Sequence, residues 1–138
     1  PELRKTLNND RCILRAMHFF QENTRVESML KALAADDINA FLSLVRQSGE
    51  SSFCFLQNLY PSFFPDEQGL NLAIAMTKSM LGPDATVRVH GGGFAGTIQA
   101  YVQENELEDY IQGMEAVFGK GSVTPIAVRS KPSSCIAE

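Results

Sequence analysis

Ala85-Thr86-Val87-Arg88-Val89-His90-Gly91-Gly92-Gly93-Phe94-Ala95-Gly96-Thr97-Ile98-Gln99-Ala100-Tyr101-Val102 is the stretch on which the fold turns. Ala85, Val87 and Val89 alternate with Thr86, Arg88 and His90. That period of two is the pattern of a half-buried strand. Beyond four glycines in six residues, Ile98, Ala100 and Val102 alternate with Thr97, Gln99 and Tyr101, which predicts a second strand.

Upstream the period is 3.6. Asn8, Asn9 and Asp10 are candidate caps for a long helix over Cys12–Leu33, with Ile13, Met17, Phe20, Leu30 and Leu33 as its apolar stripe. The block Gln21-Glu22-Asn23-Thr24-Arg25 interrupts that stripe. Asp36 or Asp37 caps a second helix with Ile38, Phe41, Leu42 and Val45 inward, and Gly49 is expected to end it. Ser51 to Tyr60 reads as a short helix, broken by Pro61 and Pro65. Asp66 is the expected cap of a third helix burying Leu70, Ala73, Ile74, Thr77 and Leu81, stopped by Gly82-Pro83-Asp84.

Downstream of the second strand, Asn105 with Glu108 predicts a capping box. The helix it would open places Leu107, Tyr110, Ile111, Met114, Val117 and Phe118 on one face, with Gly119 as its C′ residue. A last strand is expected over Val123–Val128, at an edge or bulged because Pro125 has no N–H. The expected class is α+β: helices packed on one face of a small antiparallel sheet. The second half resembles part of a ferredoxin-like split βαβ unit. A complete unit needs one more strand before the long helix, and Pro1 to Leu7 is a poor candidate for it.

The chain of 138 residues has the length of one domain, 1–138. Its 44% hydrophobic and 20% charged residues exclude a disordered chain. No apolar run reaches the roughly 18–20 residues of a membrane span, and the N-terminus has no signal-peptide core. A net charge of −4 argues against a nucleic-acid partner, while leaving phosphorylated ligands open, because backbone amides can hold anions. Cys12, Cys54 and Cys135 are odd in number and form no CxxC, so free thiols in a cytoplasmic setting are expected. The chain does not begin with Met, which points to a piece of something longer.

Gly91, Gly93 and Gly96 satisfy G-x-G-x-x-G, a string that is weak without context. A dinucleotide site needs a helix after the loop, and Thr97–Val102 reads as a strand. A protein-kinase loop does lie between strands, but no V-A-I-K lysine, H-R-D or D-F-G follows. A Walker A loop needs G-K-[ST], and Gly96 precedes Thr97-Ile98. Two readings remain. Glycines without Cβ allow close backbone approach and amides aimed at an anion, or they serve a wide hairpin turn and nothing else.

Val87-Arg88-Val89-His90-Gly91-Gly92-Gly93-Phe94-Ala95-Gly96-Thr97 resembles the third conserved motif of the GHMP small-molecule kinases in its galactokinase form, Gly-Gly-Gly-Phe-Gly-Gly between two strands. Arg15-Ala16-Met17-His18, Glu22-Asn23 and Arg25-Val26 are similar to that family's Arg-Ala-x-His…Glu-Asn-x-Arg-Val pattern at the same distance upstream. Glu50-Ser51-Ser52 with Tyr60 and Pro65 is a weaker match. The matches run from about Arg11 to Val102 in the family's order. Ala95, Thr97 and His90 depart from the usual glycine, cysteine and threonine or serine.

The resemblance implies the C-terminal domain of a galactokinase-like enzyme that transfers the γ-phosphoryl of ATP, with Mg²⁺, to the anomeric hydroxyl of galactose. It implies Gly91, Gly92, Gly93, Phe94, Ala95 and Gly96 as the loop near the ATP phosphates. The sugar motif, the serine-rich phosphate loop and the catalytic aspartate of that family are not found in this sequence, so no catalytic residue is assigned here. The implied partners are an N-terminal domain that carries those parts and a small sugar. The alternatives are a non-catalytic ligand-binding or sugar-sensing module of the same ancestry and a purely structural domain.

His18 and Glu22, at i and i+4, suit a metal or acid–base pair less well than a structural hydrogen bond extending to Arg25. Phe53, Phe55, Tyr60, Phe63 and Phe64 are expected to pack against the sheet or the further domain in preference to a sugar. Ser51, Ser52 and Ser134 lack a GxSxG elbow.

Overall fold

A computed structural model describes residues 2–94 and 96–127 of the chain. Its helices are α1 (Glu2–Leu7), α2 (Asp10–Ala34), α3 (Ile38–Ser51), α4 (Gly69–Leu81) and α5 (Leu107–Phe118). Strands β1 (Thr86–His90) and β2 (Thr97–Tyr101) lie between α4 and α5. They pair antiparallel in the register Thr86↔Tyr101, Val87↔Ala100, Arg88↔Gln99, Val89↔Ile98 and His90↔Thr97. The class is therefore α+β, with a two-stranded antiparallel sheet among the described residues.

Pairing in register sorts the side chains onto two faces. Val87, Val89, Ile98 and Ala100 share one face. There Val89 packs with Leu59, Leu70 and Ile74, and Ile98 also joins Ala73, Tyr110 and Met114 of the α4–α5 layer. Thr86, Arg88 and Tyr101 share the other. Arg46 of α3 donates to Thr86 Oγ1 (3.0 Å), and Phe41 meets the Tyr101 ring edge-on at 5.9 Å. Helices thus cover both faces of the hairpin, which corrects the one-face expectation. The reason lies at Gly49. It does not end α3 but sits inside it, where a Cβ would come within 3.0 Å of Val87 O and 3.1 Å of Arg88 Cβ. A missing side chain there lets the helix rest on the strand.

The long helix starts where the caps predict: Asn9 Oδ1 accepts from the Cys12 N–H at 3.1 Å. Past Ile13, which is half-buried, its facing is the reverse of the apolar stripe. Met17, Phe20, Leu30 and Leu33 are exposed, whereas His18, Glu22 and Arg25 turn inward. A hydrogen-bonded polar layer decides this, because each inward group meets a partner on α2, α3 or β1. Glu22 accepts from Arg25 and from the fully buried Ser48, and Arg88 Nη1 lies 3.9 Å from its Oε1. His18 Nδ1 shares a 2.9 Å hydrogen bond with Ser51 Oγ. Asp37 caps α3 by accepting from the Ala40 N–H at 2.9 Å.

Four further expectations are corrected. In place of a separate helix over Ser51–Tyr60, α3 runs on from Ser51 into a π segment, Ser52–Leu56, closed by Gln57 at φ 53°. Helix α4 starts at Gly69, past Asp66, with Gln68 at its N-cap position and no side-chain cap. A 3₁₀ turn, Glu104–Glu106, leads into α5 in place of a capping box. Gly119 does close α5, at φ 96°. Residues 123–127 form no strand; Val123 packs against the α4–α5 core. Val128, the end of that expected strand, lies outside the described residues. No helix among the described residues is long and apolar enough to cross a membrane.

Candidate functional site

The register of β1 and β2 leaves Gly91–Gly96 as a six-residue connection between His90 and Thr97. Such a span is too long for a tight two-residue turn, so its shape must come from elsewhere. Three of its described residues lie in the left-handed region: Gly91 (φ 67°), Gly93 (φ 78°) and Phe94 (φ 58°). Glycine adopts that region without steric cost; Phe94 does so only where its surroundings hold it. Ala95 lies outside the described residues.

The surroundings that hold it are Asn58. Its backbone carbonyl accepts from the Phe94 N–H at 2.7 Å, and its Nδ2 donates to the Gly92 carbonyl at 3.1 Å. A Cβ on Gly93 would sit 2.2 Å from Asn58 O and 2.9 Å from Asn58 Cγ. Gly93 is therefore a close-approach glycine. Gly91 and Gly92 differ: a Cβ on either meets no atom within 4 Å. At the far end, a Cβ on Gly96 would lie 3.3 Å from Gly93 O, so the loop folds back on itself. One side of the loop is clamped to the body, and the other carries backbone with open space beside it.

His90 and Gly96 also line an open groove of about 1180 Å³. Leu70, Ala73, Ile98 and Tyr110 are among the apolar residues that line it. The glycine loop thus stands where a polar backbone segment meets an apolar trough. Asn58 escaped the sequence reading because it lies 34 residues before Gly92, and nothing local marks it. The only hint was its place between an apolar segment and Pro61.

Other singled-out residues fall elsewhere. His18 and Glu22 do not bond to each other; both join the polar layer between α2, α3 and β1, and neither lines the groove. Ser51 is buried there, and Ser52 beside it is also buried. Phe53, Phe63 and Phe64 are exposed rather than packed on the sheet. Cys12 and Cys54 are free and exposed; Ser134 and Cys135 lie outside the described residues. Among the described residues no group of three His, Cys, Asp or Glu side chains is placed to hold a metal ion. No protein-family model matches the chain, and no solved structure matches it.

Proposed function

We propose that this chain is the C-terminal domain of a galactokinase-like GHMP kinase, of ferredoxin-like ancestry, acting in the cytoplasm with an N-terminal domain as its partner. In that reading ATP supplies the γ-phosphoryl group and galactose is the acceptor, giving galactose 1-phosphate. One observation carries the reading: the Gly91–Gly96 loop is clamped on one side and open on the other. Backbone N–H groups beside open space suit phosphate oxygens, and the Asn58 clamp reduces the entropy that the Gly92–Phe94 segment would lose on binding. The donor set fits ATP phosphates and not a cation, because amide N–H groups cannot ligate Mg²⁺. In this reading the ion travels with the nucleotide and is held outside this chain. The chain's own work is positioning: it holds donors still while the other domain brings the sugar hydroxyl and the proton acceptor.

A second reading, a non-catalytic ligand-binding module, is favoured by the groove of about 1180 Å³ beside the loop. An ADP-release assay with galactose separates the two. Turnover is expected from a protein that carries the family's upstream motifs before this chain, and none from the 138 residues alone. Substantial turnover by the 138-residue chain alone would defeat the half-site reading; an upstream segment without the catalytic aspartate would favour the binding module.

A further inference from the structure

Asn58 is only 2% exposed, and its side chain holds a costly arrangement. Oδ1 is buried with no hydrogen-bond partner among the described residues, while Nδ2 donates to Gly92 O. Swapping the two amide atoms would set one carbonyl oxygen against another, so the donor assignment follows from the contact itself. A buried acceptor left unpaired is rare, and it marks a residue kept for what its other atom does.

The other atom fixes a peptide plane. The described residues contain no cis peptide bond, so the Gly92 carbonyl and the Gly93 N–H point in opposite directions. With Gly92 O drawn toward Asn58 Nδ2, the Gly93 N–H points away from that contact. The next amide, Phe94 N–H, is already engaged by Asn58 O. Asn58 thus sorts two successive amides, one spent internally and one presented. Gly93 N–H has no backbone acceptor among the described residues.

Resting on the phosphate reading of the loop, we propose that Asn58 is its positioning residue. It orients the Gly92–Gly93 peptide so that Gly93 N–H, and not Phe94 N–H, is the amide offered to a phosphate oxygen. Glycine at 93 is then required twice, for φ 78° and for contact with Asn58.

The test is ¹⁵N-amide NMR on the 138-residue chain, comparing wild type with Asn58→Asp and Asn58→Ala. Spectra are recorded without ligand and in titrations with Mg²⁺–ATP and with inorganic tripolyphosphate. Both variants remove the donor to Gly92 O; the aspartate variant does so at nearly constant shape. Expected without ligand is a displaced Gly93 ¹⁵N resonance in each variant, with α2, α3 and α4 resonances unchanged. A merely space-filling Asn58 would leave Gly93 unmoved in the aspartate variant. With either phosphate compound, Gly93 N–H is expected to shift and Phe94 N–H to stay. The response of Asn58→Asp should be weakened about tenfold, the loss of one charge-assisted hydrogen bond. A Gly93 resonance that ignores both substitutions overturns the proposal, as does a ligand response at Phe94 without one at Gly93. If the substitutions displace Gly93 but neither phosphate compound moves any loop amide, the orienting role of Asn58 stands and the phosphate reading falls.

Discussion

Gly93 and Gly92 are neighbours with opposite tolerance for a methyl group. A Cβ at Gly93 would lie 2.2 Å from the Asn58 carbonyl oxygen, a backbone atom that cannot rotate aside, and φ there is 78°. Relief is possible only if the loop leaves Asn58. That sacrifices the bonds from Phe94 N–H and to Gly92 O, each worth about 1 kcal/mol, and strands the buried Asn58 amide. Gly93→Ala is therefore expected to cost about 3 kcal/mol, with the strain of a positive φ included. Gly92→Ala meets open space and should stay within about 0.5 kcal/mol of wild type. Urea unfolding of both variants checks the pair. Equal stabilities would mean that the loop does not rest on Asn58.

At the scale of elements, the polar layer between α2, α3 and β1 is held by one carboxylate. Glu22 bonds Arg25 of its own helix and Ser48 of α3, and reaches Arg88 of β1 at 3.9 Å. Removing it leaves an arginine side chain only 11% exposed and a fully buried serine hydroxyl without their acceptor. Glu22→Ala should cost about 3 kcal/mol in denaturant unfolding. His18→Gln removes a single bond, to Ser51, and should cost about 1 kcal/mol; under the proposed kinase reading it leaves turnover intact. A stable His18→Gln protein with no turnover would give this layer a chemical role.

The same elements show what sequence can and cannot tell. The β1–loop–β2 hairpin and the starts of α2 and α3 were legible because they rest on local signals: period-two alternation and the Asn9 and Asp37 caps. The facing of α2 was not, because apolar spacing cannot reveal that Ser48, Ser51 and Arg88 would meet a polar face. Nor was the end of α3. Gly49 reads as a stop, yet it is a contact glycine, and the chain runs on into the π turn before Gln57 reverses it. For the site, the glycines were legible and their clamp was not.

In the whole molecule, the cores beneath the hairpin meet at one side chain. Leu59, Leu70 and Val89 form one cluster; Ala73, Tyr110 and Met114 form the other; Ile98 packs against both. Ile98 stands opposite Val89 and one residue past Thr97, so it also anchors the exit of the glycine loop. Truncating it loosens two clusters at once, whereas truncating Val117, which is 54% exposed at the end of α5, touches neither centre. Ile98→Ala should cost about 2 kcal/mol, in the lower part of the range for large-to-small changes because Ile98 is only half-buried. Val117→Ala should cost less than about 0.5 kcal/mol. The sharper consequence concerns cooperativity. If Ile98 joins the clusters, native-state hydrogen exchange in the Ile98→Ala variant should show α4, α5 and β1 amides losing protection by the same factor. Loss confined to α5, with Val89 and the α4 amides still protected as in wild type, would mean that the clusters open separately. The glycine loop would then be held by Leu59, Leu70 and Val89 alone.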